Sequence, residues 1–167
     1  MRVSHSRVDL FNRCPYKYRL RYVEGLNTIP DTEPDNALIL GTALHTGIEE
    51  GVEQALDFYT SSFPILTDDH IHEMMKLEAM IPKAKAMLPP GGTFELPIGN
   101  ADFIGFMDYL VPVGKGLKLD GLITGEDLDE FEAFDLYDFK YSNNAKNYAV
   151  SGQLHEYKYW YELTHPG

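Results

Sequence analysis

The chain has 167 residues, enough for one domain, and its 26 acidic against 14 basic residues give a formal charge of −12. Such a field repels phosphates, which excludes nucleic-acid binding over the whole surface and leaves room only for a local basic patch. A hydrophobic content of 44% supports a packed core, no run of 18 apolar residues is present to span a membrane, and a lone cysteine, Cys14, excludes an internal disulfide or an all-cysteine metal site. The first residues lack the apolar stretch of a secretion signal, so a cytoplasmic location is expected.

Residues 1–26 form a basic helical segment: Arg2, Arg7, Arg13, Lys17, Arg19 and Arg21 stand there against Asp9 and Glu24. Ser6-x-x-Asp9 reads as a capping box that starts the first helix, and Pro15 breaks that helix or begins a second short one. Residues 27–36, with two prolines, read as a loop. One helix over 38–60 follows, with Leu44, Ile48, Val52, Leu56 and Tyr59 as its apolar stripe. Asp68 opens another, with Leu77, Met80, Ile81, Ala84, Met87 and Leu88 as its buried face and a kink at Pro82. His70 and His72 do not share a helix face and read as solvent-exposed.

Pro89-Pro90-Gly91-Gly92 ends the helical half. Phe94–Ile98 reads as a first strand, Gly99-Asn100 as a turn, Asp102–Val111 as a second strand and Phe134–Tyr141 as a third. The acidic insertion between them, 112–133, is longer than a hairpin needs and reads as a flap or a subsidiary hairpin. Residues 119–139 hold eight carboxylates and no Lys or Arg. A last helix is predicted over 144–163. The whole reads as one α/β domain over 1–167, a mixed sheet of about three strands flanked by helices.

The second strand carries Asp108 among Ile104, Phe106 and Leu110, and an aspartate in an apolar series is costly unless it is paired or binds a cation. On the third strand Asp138 and Lys140 stand two positions apart and point the same way. If the two strands pair, Asp108 lies beside Asp138, and two such carboxylates favour a cation between them. Hard oxygen ligands suit magnesium, which can polarise a phosphoryl oxygen and lower the pKa of a bound water beside Lys140. The same residues also fit a structural Asp–Lys salt bridge across a sheet.

The flanking segments extend this pattern. Ser4-His5-Ser6-Arg7-Val8-Asp9-Leu10-Phe11 leading to Cys14-Pro15-Tyr16-Lys17-Tyr18, Gly41-Thr42-Ala43-Leu44-His45, Gly105-Phe106-Met107-Asp108, Asp138-Phe139-Lys140 and Gln153-Leu154-His155-Glu156-Tyr157 occur in that order. Together they resemble the RecB-like family of the PD-(D/E)XK nuclease superfamily, which includes CRISPR-associated and phage recombination exonucleases. The resemblance implies a restriction-endonuclease-like fold and a Mg²⁺- or Mn²⁺-dependent DNA exonuclease acting on ends or single strands, in recombination, repair or phage DNA processing. That role places the chain in the cytoplasm of a bacterium or a phage-infected host. Asp108 and Asp138 match metal ligands, as do the Phe139 carbonyl and His45. Lys140 matches the catalytic lysine, Gln153 and Tyr157 the helix positions that steady the site and touch nucleic acid, and Glu95 an auxiliary acidic position.

Read by themselves, the accessory residues keep a second meaning: His45 suits a structural histidine as well as a ligand, and Gln153 and Tyr157, four apart, can simply close a core. Arg7, Arg13 and Lys17, interleaved with Phe11, Tyr16 and Tyr18, suit a DNA strand or an ordinary charged surface. Some relatives bind an iron–sulfur cluster through four cysteines, and Cys14 alone makes one unexpected here, so Cys14 reads as a buried small residue. The family core continues with a further strand after the Gln-x-x-x-Tyr helix. The sequence stops before that strand, so the chain reads as a fragment, as one half of a split protein, or as a form whose sheet edge is completed by a second copy or a partner protein. The rival reading is a catalytically inactive nucleic-acid-binding or assembly module that keeps the fold.

Overall fold

A computed structural model describes residues 2–29, 32–119, 128–142, 146 and 152–164. The chain forms two compact units, each assembled from separate stretches. Unit 1 comprises Met1–Cys14, Pro90–Asp138 and Ser151–Gly167, and unit 2 comprises Pro15–Pro89 and Phe139–Val150. No helix among the described residues is long and apolar enough to cross a membrane.

Unit 1 holds a three-stranded antiparallel sheet in the order β1 (Thr93–Gly99), β2 (Ile104–Leu119), β3 (Leu128–Tyr137), with α1 (His5–Arg13) and α6 (Gln153–Thr164). An isolated parallel bridge, Val3 to Phe103, ties the N-terminal segment to the start of β2. The turn between β1 and β2 is built as the Gly99-Asn100 pair suggests. Asn100 Oδ1 accepts from the backbone N–H of Asp102 and of Phe103, at 2.8 and 3.0 Å. Ile98, Phe103, Met107, Leu110 and Tyr157 form the core, and the Trp160 ring stacks on Phe103 at 4.9 Å. Gly105 is what lets α6 come so close, since a Cβ there would meet the Tyr157 ring at 2.9 Å.

The 112–133 insertion continues the β2–β3 ladder, from Lys115↔Glu132 to Leu119↔Leu128, with a register shift between Pro112 and Gly114. It is a subsidiary hairpin by backbone pairing, and its tip, 120–127, lies outside the described residues. The third strand, expected over 134–141, ends instead at Tyr137. Asp138 and Lys140 therefore lie beyond the strand, where side-chain alternation does not set their directions. Of the helix expected over 144–163, residues 144, 145 and 147–151 lie outside the described residues, as do 143 and 165–167, and α6 begins at Gln153.

Unit 2 contains α2 (Pro15–Tyr18), a π-turn at Arg19–Val23, α3 (Ala37–Glu49), α4 (Val52–Ser61) and α5 (Asp68–Ala86). The single helix expected over 38–60 is two helices. Gly51 separates them with φ of 127°, a backbone conformation that continues no helix and that glycine adopts without a Cβ clash. Leu40, Ala43, Leu44, Ile48, Ala55, Tyr59, Leu77 and Ile81 are buried, and the Tyr59 hydroxyl donates to the Pro34 carbonyl at 2.8 Å. Met87, expected in the buried face, is 82% exposed because α5 ends one residue before it.

Two polar features differ from expectation at helix starts. The first helix begins at His5, not Ser6. The Ser4 and Ser6 hydroxyls face each other at 3.1 Å, and Asp9 pairs with Arg13 one turn on instead of capping. His70 is buried rather than exposed. Its Nδ1 accepts from the Thr67 N–H at 3.1 Å, closing the first turn of α5, and its ring packs edge-on against Phe63 at 4.5 Å. Glutamine at this position can make the same reach-back bond. We therefore expect His70→Ala to lower unfolding free energy by about 2 kcal/mol and His70→Gln to retain most of it, measured by urea denaturation.

Candidate metal and nucleic-acid site

Acidic groups of unit 1 lie beside the stretch of β2 where the β1 and β3 ladders overlap, at Tyr109 and Leu110. The pairs Phe94↔Tyr109 and Leu96↔Met107 place Glu95 opposite Asp108. Carboxylate oxygens of these two residues lie within 4.8 Å of each other. Asp108 is buried and Glu95 exposed, and Glu95 has φ of 50°, the left-handed region that a non-glycine strand residue seldom occupies. On the other side, the pair Tyr109↔Tyr137 leaves Asp138 one residue beyond the end of β3. Asp138 Oδ1 accepts from Gln153 Nε2 at 3.2 Å, and the same amide donates to the Tyr157 hydroxyl at 2.7 Å. The first turn of α6 thus reaches back to the end of β3.

The Tyr157 phenol registers this crowding of negative charge. Burial pushes its pKa above the ordinary value, the Gln153 hydrogen bond pulls it down, and the charges of Asp138, Asp108 and Glu156 push it up again. Tyr157 stays protonated at neutral pH and accepts the Gln153 bond. Glu95 and Asp108, with carboxylate oxygens within 4.8 Å, offer hard oxygen donors of the kind that a divalent cation neutralises, and Asp138 acts with Asp108 on the same phenol.

In unit 2, His45 sits half-buried on α3, and its Nε2 lies 2.8 Å from the carbonyl oxygen of Phe139. The two rings also meet edge to face at 5.5 Å. A carbonyl only accepts, so Nε2 carries the proton in this contact. Ligation through Nε2 would need that proton moved to Nδ1. The two groups that the motif assigns as ligands are therefore neighbours. Tyr141, two residues on, donates its hydroxyl to Glu73 Oε2 at 3.3 Å. Burial, then the Glu73 charge, push the Tyr141 pKa up, against the pull of Lys76. Lys140 between them is exposed.

The structure thus gathers Asp108 with Glu95, Asp138 with Gln153 and Tyr157, and His45 with Phe139. Arg7 donates to the Arg2 carbonyl at 2.6 Å, Arg13 pairs with Asp9, and Lys17 is exposed on α2. Cys14, expected to be buried, is half-buried, and its thiol is not in a disulfide. Glu73 and Tyr141 were not singled out by motif. A signal for Glu73 is present: it falls in phase with Leu77 and Ile81 at i+4 and i+8, an acid on an apolar stripe.

A family model described as PD-(D/E)XK nuclease superfamily matches residues 2–166. No characterised protein and no solved structure gives a significant match.

Proposed function

Because the chain belongs to the PD-(D/E)XK nuclease superfamily, a superfamily of metal-dependent phosphodiester hydrolases, we propose that it is a DNA exonuclease acting on ends or single strands. The observation that carries this reading is the set of acidic groups beside the overlap of the β1 and β3 ladders: Glu95 opposite Asp108, and Asp138 held by Gln153. Asp108 and Asp138 would hold Mg²⁺ or Mn²⁺, with Glu95 auxiliary. His45 and the Phe139 carbonyl are the further ligands that the motif assigns. The ion, when bound, supplies a Lewis acid that polarises a phosphoryl oxygen and makes an attacking water more acidic.

The protein's own groups supply the rest. Lys140 orients the attacking water and offsets the charge that builds on the phosphate. Gln153 fixes one oxygen of Asp138, and Tyr157 fixes Gln153, so the carboxylate keeps one rotamer. Arg7, Arg13 and Lys17 neutralise phosphates along the bound strand, while Tyr16, 68% exposed, offers a face on which a base can stack. A net charge of −12 confines DNA to such local patches, so affinity should fall steeply with salt.

Labelled single-stranded, linear duplex and closed circular DNA, incubated with magnesium or manganese, test this reading. The expected result is nucleotide release from the linear substrates only, abolished by a chelator. DNA binding without cleavage under any divalent ion would instead support the inactive-module reading and overturn the enzymatic one.

A further inference from the structure

We propose that Glu73 and Tyr141 form a positioning pair that fixes the direction of Lys140; this rests on the reading of Lys140 as the catalytic lysine. Lys140 is flanked by two residues that are each fastened within unit 2. The residue before it is held through its carbonyl, 2.8 Å from His45 Nε2, and through the edge-to-face contact with the His45 ring. The residue after it is held at both ends of its side chain. The Tyr141 hydroxyl donates to Glu73 Oε2 at 3.3 Å, and its Cβ faces Gly41 of α3, where an added Cβ would lie 4.0 Å away.

Glu73 suits the role of a fixed post. It is 8% exposed, it sits mid-helix on α5, and its second oxygen accepts from Lys76 Nζ at 2.5 Å. A buried carboxylate with both oxygens engaged has little rotational freedom. Two anchors one residue to either side of Lys140 span only about 7 Å of chain, so the backbone between them has few torsions left to vary. An exposed lysine has high rotamer entropy, and the part of that freedom set by its backbone is removed. Burial of an acid on the Leu77–Ile81 stripe, otherwise costly, then has a purpose beyond the fold.

The test uses the full chain. Tyr141→Phe keeps the ring and removes only the hydroxyl. The expected result is a drop in kcat of about tenfold with KM for DNA and the thermal midpoint unchanged. Glu73→Gln, which keeps an acceptor oxygen, should retain most of kcat, and Glu73→Leu should not. Glu73→Leu combined with Tyr141→Phe should lose no more than Glu73→Leu alone. A second readout needs no metal or DNA: in protein labelled with [¹³Cε]lysine, Tyr141→Phe should shift the Lys140 signal, assigned through Lys140→Arg, and leave distant lysine signals in place. Wild-type kcat in Tyr141→Phe, or an unmoved Lys140 signal, overturns the proposal. Full hydrolysis by Lys140→Ala would instead overturn the assignment of Lys140 itself, a failure distinct from loss of the anchor.

Discussion

Asp108→Asn should lower DNA cleavage by at least about 10³-fold and leave the protein as stable as before, or more so. The substitution keeps shape and one carbonyl oxygen but removes a buried negative charge. In the folded protein that charge lies within 4.8 Å of the Glu95 carboxylate and raises the Tyr157 pKa. Two acids at such range repel each other, and neutralising one removes that repulsion. A group retained for structure would show the reverse, with stability lost and activity following it. Opposite movement of the two quantities is the mark of a site that holds unfavourable charge for the sake of a ligand. Thermal melts beside single-turnover cleavage assays read both at once, and a large loss of stability in Asp108→Asn would assign the residue to the fold.

Lys140→Met should cost between about 10² and 10⁴ in kcat, with little change in DNA affinity or in manganese affinity. Methionine keeps most of the side-chain length and removes the ammonium. Because Lys140 is exposed, the loss should not unfold the chain. Arginine should not restore the rate: a planar guanidinium spreads its charge over a fork and cannot present one compact cation to a water. Rapid-quench kinetics with saturating DNA separates this from a binding defect. A variant whose loss lies entirely in KM would make Lys140 a phosphate contact and not a participant in the chemical step.

The helices and strands were legible where a single period ran unbroken. Leu77 and Ile81 marked the buried side of α5, and the Gly99-Asn100 turn was fixed by an amide that caps its own loop. Periodicity could not see the break at Gly51, because Leu44, Ile48, Val52 and Tyr59 stay in phase across it while the backbone does not. It also misjudged His70. A histidine is read as polar, yet here one ring nitrogen closes a helix turn and the carbon edge packs on Phe63. At the site, strand alternation marked Asp108 and Asp138 as candidates, and the resemblance to the family's motifs added His45 and Gln153. The anchors of the Phe139–Tyr141 segment were hidden because Glu73 is 68 positions from Tyr141 in sequence, and no local pattern links them.

Anomalous scattering from a manganese-soaked crystal of the full chain tests the central claim most directly. A single strong peak within coordination distance of the Asp108 and Asp138 carboxylates is predicted, and it should vanish in Asp138→Ala crystals grown and soaked alike. Saturating manganese that leaves these two carboxylates without a peak, or a peak that persists in the variant, would contradict the account.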